Sequence, residues 1–391
     1  NPLTLVRGGS NDRWKPPDGK GKKISNRGGV IMYDVAIVGA GPAGSTLARL
    51  IGSQLKVLLI DKRIPSKSNK VEYRTSKCCG GLLAPDAQKM MALLGLGLPK
   101  DLVVGPQLFT VRTIDIQNVI ERYYQRFYIN IDRRKFDSWL VSLVPGTVEL
   151  RLGCTFKSFS KENGHFQIKF MQKNSEYIER TRFLVGADGA FSMVRRAAFP
   201  DYPLPAKYTA VQEWLHSEEK QPYFTTIFDS EISDFYAWTI PKEDMMLLGA
   251  AIPQRYNVNS KFNLLKNKLG SYGFKLGPAE KREGTFILRP VNINQICTGA
   301  NGIALIGEAA GWISPTSAEG LSYAFRSALA CAKSIGQDTR DFTDTYRKNT
   351  FGMFLNVRLK NLKSPFMYHP LLRKGIMRSG IMSMDVNSGK L

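Results

Sequence analysis

Histidine, acidic side chains and long apolar runs are all scarce in this chain of 391 residues. The three histidines, His165, His216 and His369, form no cluster, so they indicate neither a metal site nor a histidine general base. No run of 18 apolar residues occurs, and the sequence therefore predicts no transmembrane helix. The five cysteines are odd in number and widely spread, which fits neither a disulfide framework nor a zinc site. This cysteine usage predicts a reducing, cytoplasmic location.

Negative charge is the other shortage. Lys and Arg number 55 against 33 for Asp and Glu, a formal net charge of +22. Such an excess predicts an anionic partner, either a membrane surface or an acidic ligand. Nucleic acid is disfavoured because no DNA- or RNA-binding motif accompanies the charge. A protein bound peripherally to the inner face of the membrane would place this positive charge against anionic lipid.

The start of the chain differs in composition from the rest. Residues 1–29 are rich in Gly, Lys, Arg, Asn, Ser and Pro and lack both a periodic apolar pattern and the apolar stretch of a secretory signal. We interpret residues 1–30 as a disordered leader or a remnant of an expression vector. The folded part is predicted to begin near Ile31, and its length allows two domains.

A β-α-β unit opens the folded part. Residues 33–38 form a short apolar run typical of a buried parallel strand, and residues 56–60 form a second. Between them, residues 42–51 are predicted to be helical, because Pro42 is tolerated in a first helical turn.

The turn of this unit carries the motif Gly39-x-Gly41-x-x-Gly44. The first glycine permits a tight turn, the second a close backbone approach to a pyrophosphate, and the third close helix–strand packing. The helix N-terminus favours an anion. Asp61 closes the next strand, where a carboxylate can bind a ribose, and Lys62 follows it. The unit predicts dinucleotide binding, without separating FAD from NAD.

Two later segments make that distinction. Gly186-Ala187-Asp188-Gly189 resembles the GADG signature of the para-hydroxybenzoate hydroxylase fold, and Gly307-Glu308-Ala309-Ala310-Gly311 resembles that fold's second flavin signature. The resemblance implies FAD as the cofactor. It implies contacts with the cofactor at Asp188, Gly307, Glu308, Ala309, Gly311, Gly320 and Leu321. Glu308 is a departure, since the family usually has the shorter Asp there.

Three further segments resemble the geranylgeranyl reductase family, in the branch of the colicin M resistance oxidoreductases. They are Cys78-Cys79-Gly80-Gly81-Leu82 with Pro85, Ile131-Asp132-Arg133-x-x-Phe136-Asp137, and Tyr236-Ala237-Trp238-Thr239-Ile240-Pro241-Lys242. The resemblance implies that Gly80, Gly81 and Arg133 approach the cofactor. Cys78, Cys79 and Trp238 are the catalytic candidates, although a cysteine here could be a small buried residue and Trp238 could be sheet core.

The predicted fold class is α/β: a glutathione-reductase-type FAD-binding Rossmann domain with an inserted antiparallel β-sheet substrate domain and a C-terminal helical region. We assign residues 31–110, 130–200 and 297–335 to the first domain. Residues 111–129 and 201–296 are assigned to the second, and residues 336–391 to the basic helical region.

The expected activity is reduction of carbon–carbon double bonds in an isoprenoid or another lipid-like substrate. Alternatives are a monooxygenase or, less favoured, a halogenase of a small aromatic or natural product, and a non-catalytic flavin-binding protein. The sequence shows no second G-x-G-x-x-G motif for a nicotinamide domain, so electrons would come from transiently bound NAD(P)H, a ferredoxin or a chemical reductant. Substrate and oligomeric state are left open.

The C-terminal region is basic and apolar at once. From Tyr346 onward it has nine Lys and Arg against one acidic residue, with apolar residues at roughly helical spacing. This pattern suits either a helix lying on anionic lipid or a helical cap over the catalytic domain.

Overall fold

The computed structural model describes residues 32–64, 77–217, 221–337 and 342–386. The predicted leader, residues 1–30, lies outside these ranges. The polar, basic composition of residues 62–77 predicts a loop, most of which also lies outside them. The β-strands of the described residues are β1 (Met32–Val38), β2 (Val57–Asp61), β3 (Leu82–Leu83), β4 (Leu108–Asp115), β5 (Ile120–Asn130), β6 (Glu149–Leu152), β7 (Cys154–Glu162), β8 (His165–Gln172), β9 (Ser175–Gly186), β10 (Ala206–His216), β11 (Phe224–Phe228), β12 (Ala237–Lys242), β13 (Met245–Pro253), β14 (Ala279–Arg289), β15 (Gly299–Ala300) and β16 (Ile303–Leu305).

The α-helices of the same ranges are α1 (Pro42–Ile51), α2 (Pro85–Leu93), α3 (Arg133–Ser142), α4 (Met193–Ala198), α5 (Val258–Ser271), α6 (Leu321–Gln337), α7 (Phe342–Asn349), α8 (Phe351–Tyr368) and α9 (Pro370–Ser379). The predicted helix 42–51 matches α1. The helical spacing of Phe136, Leu140 and Leu143 predicts a further helix over residues 133–143, which α3 confirms. Within the described residues, no helix is both long enough and apolar enough to cross a bilayer.

A first sheet contains the β-α-β unit. Its strand order is β15-β16-β9-β1-β2-β6, and β7 and β8 join it through β9. The pairs β16–β9, β9–β1, β1–β2 and β2–β6 are parallel, so their carboxyl ends lie at one edge. Apolar side chains of α1 and α6, including Leu47 and Ala328, cover one face of this sheet. The other face packs against aromatic residues such as Phe170 and Trp312.

A second sheet has the order β14-β10-β13-β12-β11-β4-β5-β3, and all its neighbouring pairs except β11–β4 are antiparallel. Helix α5 packs on one face through Phe262, Leu265 and Leu269. The alternation of apolar residues over residues 208–252 predicts an antiparallel sheet, and the antiparallel pairs β10–β13, β12–β13 and β11–β12 confirm it. Strand β3 and the first residues of β4 belong to this sheet although they lie in the range assigned to the first domain. The division into domains remains a prediction.

The C-terminal helices pack on the second sheet. Arg373 of α9 donates from Nε to Asp115 Oδ2 of β4 at 2.7 Å, and both side chains are buried. Arg122 of β5 donates to the carbonyl of Met377 at 2.8 Å. Because Asp115 is fully buried, its charge depends on Arg373 and on the two bonds from Asn118.

Removing the arginine should therefore destabilise the fold. We expect Arg373→Met to lower the free energy of unfolding by about 3 kcal/mol, since Asp115 would keep a buried charge without its cationic partner. Lys374→Met, at a half-exposed neighbour, should change it little. Urea denaturation measures both. Equal stabilities of the two variants would contradict this account of how α9 is held.

Candidate active site

The three glycine-containing segments meet because their strands are neighbours. Val38 of β1 pairs with Gly186 of β9, and Gly186 pairs with Leu305 of β16, all in parallel register. Each strand ends there and leads directly into its motif. In open α/β sheets the crevice outside the carboxyl ends of the strands is where ligands bind.

Close backbone contacts define the first motif. A Cβ on Gly39 would lie 2.4 Å from the carbonyl oxygen of Ala187, and a Cβ on Gly44 would lie 1.8 Å from the carbonyl oxygen of Gly39. Neither position can hold a side chain. Gly41 differs, because a Cβ there would meet no protein atom within 4 Å. Gly41 is also the N-cap of α1, which has no side-chain cap and no acidic residue in its first turn.

The third segment packs against the first. Gly307 has a φ of +56°, and a Cβ on it would lie 2.9 Å from the Cβ of Ala43 in α1. Its N–H donates to Ser327 Oγ of α6 at 2.9 Å. The carbonyl of buried Ala309 accepts from Arg195 Nη1 at 3.4 Å. Arg195, on the helix α4 that follows the second motif, therefore contacts the third.

Asp188 provides a polar atom without a partner. Its Oδ2 accepts from the backbone N–H groups of Met193 and Val194, at 2.7 and 3.3 Å. Oδ1 is buried and has no hydrogen-bond partner among the described residues. Burial raises the pKa of this carboxyl. An unused acceptor beside Gly39, together with the open space at Gly41, fits a group with a hydroxylated chain and a phosphate.

Asp61 is placed at the end of β2 as predicted, but its carboxylate is engaged. Oδ2 accepts from the backbone N–H of Ala40 at 2.6 Å, and both oxygens accept from Arg63 at 2.7–3.0 Å. A ribose would have to share the carboxylate with Arg63. Lys62 is exposed.

A line of charged side chains joins Asp61 to the cysteine motif. Arg63 Nη1 donates to Asp137 Oδ2 at 2.9 Å, and Arg133 Nε donates to Asp137 Oδ1 at 2.7 Å. Arg133 Nη1 then reaches Cys79 Sγ at 3.2 Å. Arg133 and Asp137 face the same side because they are four residues apart on α3.

The two adjacent cysteines have opposite electrostatic surroundings. Burial by itself would raise the pKa of the Cys79 thiol, but Arg133, the backbone N–H of Gly81 and the charge of Lys77 outweigh it and lower that pKa. Burial raises the pKa of Cys78 to about 12, although Gln212 Nε2 lies 2.9 Å from its sulfur. Cys79 is the thiolate candidate, and Cys78 keeps its proton at neutral pH.

Lys77 connects the cysteine segment to the third motif through an ion pair with Glu308. Glu308 Oε1 also lies 3.4 Å from the backbone N of Leu288. The longer carboxylate at this position, noted as a departure from the family pattern, is thus occupied by a cation of the same site.

Gly80 and Gly81 let the cysteine segment approach the second sheet. A Cβ on Gly80 would lie 2.5 Å from Ile240 Cδ1, and one on Gly81 would lie 2.4 Å from the carbonyl oxygen of Ile131. Buried Lys242 donates to the carbonyls of Gly81 and Ile131, at 3.3 and 3.0 Å. Burial lowers the pKa of Lys242 to about 8.

Trp238 lies in a row across the second sheet. It pairs with Gly249 of β13, which pairs with Gln212 of β10, and lateral neighbours in a sheet point to the same face. A Cβ on Gly249 would be 2.4 Å from the indole, so the ring extends over this glycine towards Gln212, the partner of Cys78. The indole N–H is buried and has no partner among the described residues.

An aromatic cluster surrounds Trp238 on this face. Its buried or partly buried members include Tyr128, Tyr208, Phe224, Phe228, Phe235, Tyr236, Trp238 and Tyr368. Two of the tyrosines fix the loop before α6, because Tyr236 donates to the carbonyl of Ser317 at 2.7 Å and Tyr368 to that of Thr316 at 2.6 Å. The predicted site residue Gly320 follows this loop, and the predicted site residue Leu321 begins α6.

Sequence reasoning missed several residues of this site as functional candidates. They are Arg63, Asp137, Gln212 and Lys242. Asp137 and Lys242 stand inside motifs that the resemblance rests on, so their positions gave a usable signal. The sequence around Gln212 gave no such signal, because Gln212 and its contact Cys78 are 134 residues apart in the chain.

This architecture is the one found in flavin-dependent oxidoreductases. The geranylgeranyl bacteriochlorophyll reductase-like protein of Thermoplasma acidophilum superposes with a TM-score of 0.69 at 21% identity, over 91% of this chain and 89% of that one. PqsL of Pseudomonas aeruginosa, described as a probable FAD-dependent monooxygenase, gives a TM-score of 0.65 at 17% identity, over 90% of this chain and all of that one. At these identities the likeness establishes the fold.

The family is established by sequence. Protein CbrA of Escherichia coli O6:H1 strain CFT073 is 40% identical over 349 residues, which cover 89% of this chain and 94% of that protein. The chain belongs to the CbrA family, in agreement with the branch that its motifs indicated. A scan of protein-family models gives no match.

The two cysteines should be distinguishable by thiolate absorbance near neutral pH. We expect Cys79→Ser to remove a thiolate signal that persists below the usual thiol pKa, and Cys78→Ser to leave that signal in place. Arg133→Met should move the signal to higher pH, because it removes the main positive charge at Cys79. An ultraviolet pH titration measures it, and a signal lost with Cys78→Ser instead would reverse the assignment.

Proposed function

We propose that this protein is an FAD-dependent oxidoreductase that reduces carbon–carbon double bonds of an isoprenoid or other lipid-like substrate. The glutathione-reductase-type assignment of its cofactor fold belongs to this proposal. The main support for the proposal is the crevice at the ends of β1, β9 and β16. In this crevice Gly41 faces open space and Asp188 has an acceptor atom without a hydrogen-bond partner in the described part of the chain.

The residues fit FAD as follows. The uncapped N-terminus of α1 at Gly41 would hold the pyrophosphate, since its N–H groups and dipole favour an anion. Asp188 would accept from a hydroxyl of the cofactor. Glu308 and Lys77, already paired, would adjoin the polar chain of the flavin. When bound, reduced flavin supplies a hydride, and oxidised flavin accepts two electrons from a donor such as NAD(P)H.

The aromatic cluster supports an apolar substrate. Buried rings and few unpaired polar atoms favour hydrocarbon and exclude water from the reacting bond. Trp238 links the cluster to the cysteine segment, since it lies beside Gln212. A small polar substrate would find few partners on this surface.

Protonation is the step that the cysteines could serve. Reducing a double bond adds a hydride to one carbon and a proton to the other, while the reduced cofactor loses two electrons. Burial raises the pKa of Cys78 to about 12, so this thiol keeps its proton at neutral pH, whereas Arg133 outweighs burial at Cys79 and lowers the pKa of that thiol. We assign Cys78 as the proton source and Cys79 as the group that fixes Arg133 beside it.

A monooxygenase is the second candidate. The fold is shared with PqsL, and apolar aromatic surroundings that exclude water serve oxygen chemistry as well as reduction. The two reactions differ in their need for oxygen, which the assay below separates. A halogenase is supported only by the segment Trp238-Thr239-Ile240-Pro241, and a non-catalytic role would leave the cysteine pair without a use.

Flavin binding is tested by a matched pair of glycine variants. A Cβ meets no protein atom within 4 Å at either Gly41 or exposed Gly146. Valine should therefore be tolerated at both positions unless a bound group occupies the space at Gly41. We expect Gly41→Val to lose the visible flavin spectrum but still to unfold in a cooperative thermal transition. Gly146→Val should keep both the flavin spectrum and the cooperative transition. A flavin spectrum retained in Gly41→Val would contradict the proposed site.

The reaction is tested by anaerobic turnover. Dithionite-reduced protein incubated with geranylgeranyl lipid should add two hydrogens per reduced bond, seen by mass spectrometry. Cys78→Ala should slow this on the order of 100-fold with flavin content unchanged, and Cys331→Ala, at a buried cysteine of α6, should not. Product that forms only when oxygen is present would favour the monooxygenase instead.

A further inference from the structure

Helix α8 exposes a continuous apolar stripe. Its members Phe351, Leu355, Leu359, Leu362 and Phe366 are spaced as i, i+4, i+8, i+11 and i+15, which places them on one face of a helix. They are 48–71% exposed. Exposed apolar residues continue along the chain in α9 and beyond it: Leu371, Leu372, Ile376, Ile381 and Met382. A contiguous surface of this kind marks an interaction site.

The charge of these helices is of one sign. Helices α8 and α9 contain six basic residues, Arg358, Lys360, Lys363, Arg373, Lys374 and Arg378, and no Asp or Glu. Arg358 and Lys363 are both exposed, and their helical positions flank the stripe on its two sides. An occupant of the stripe must therefore be apolar in its middle and negative at its edges.

We propose that the α8 stripe docks on the surface of an anionic lipid bilayer. Apolar side chains enter the boundary between headgroups and acyl chains, while basic residues beside them pair with anionic headgroups. The overall charge of +22 adds long-range attraction to such a surface.

Other occupants fit the charge poorly. In a symmetric dimer this face would meet itself, and neither α8 nor α9 offers an acidic side chain to pair with Arg358 or Lys363. Residues 1–31 of the same chain carry seven Lys and Arg against two acidic residues, so they match the stripe no better.

The opposite side of α8 faces the aromatic cluster. Tyr368 belongs to that cluster, and Ser364 accepts from buried Arg289 Nη2 at 2.9 Å. Met353 and Val357 are buried in the core beneath the first sheet. Docking would thus bring the cluster close to the bilayer. This would help a lipid substrate to reach the cluster, an inference that rests on the proposed function. The docking itself does not depend on that function.

Vesicle flotation with the 391-residue chain carrying its flavin tests the proposal. We expect binding to phosphatidylcholine vesicles that contain phosphatidylglycerol, little binding to phosphatidylcholine alone, and release by high salt. Leu355→Ser/Leu362→Ser should weaken binding at least tenfold. Arg358→Gln/Lys363→Gln should weaken it about fivefold per charge removed. Leu93→Ser, at a 65% exposed leucine of α2, is the matched control and should bind as the parent protein does.

Several outcomes would overturn the proposal. The first is a lack of binding to anionic vesicles, and the second is undiminished binding by the stripe variants. The third is a dimer that sedimentation detects without lipid and that dissociates in Leu355→Ser/Leu362→Ser. Such a dimer would show that a second copy covers the stripe. The flavin spectrum and thermal transition of each variant are recorded in parallel, so a failure of docking is distinguishable from a failure of the flavin site or of folding.

Discussion

The structure depends on one close approach of backbone to backbone. Helix α1 starts so near β1 and the end of β9 that neither Gly39 nor Gly44 has room for a Cβ. This contact brings the first motif against Ala187 and positions the helix N-terminus at the carboxyl edge of the parallel sheet. The third motif then packs on α1 through Gly307 and Ala43. Any side chain at these glycines would separate the three segments that form the crevice.

A line of charged side chains extends from the crevice to the cysteine segment. The alternating line from Asp61 through Arg63, Asp137 and Arg133 to Cys79 is largely buried, and its charges compensate one another. Buried charges are tolerated when each has such partners. The same line gives Cys79 its lowered pKa, while Cys78, one residue earlier, turns to Gln212 and stays protonated. The pKa values of these two adjacent thiols are therefore shifted in opposite directions.

The second sheet contributes apolar surface, and α8 connects it to the outside. One side of α8 supplies Tyr368 to the aromatic cluster, and the other carries the exposed stripe. Both alternatives that the C-terminal sequence left open, a cap and a lipid-facing helix, can hold for the same helix, because an α-helix has separate faces. The cap is visible in the contacts of Arg289 and Arg373, whereas the lipid-facing role is the proposal tested above.

The sequence by itself determined the β-α-β unit, helix α3, the antiparallel sheet and the family. These signals are local: apolar periodicity, the glycines of a turn, and short motifs whose residues are close in the chain. Only the tertiary structure decided that Lys77 pairs with Glu308, that Arg63 pairs with Asp137, and that Gln212 meets Cys78. These contacts form because strand order and helix packing bring distant residues together. The pattern of the sequence does not show which distant residues will meet.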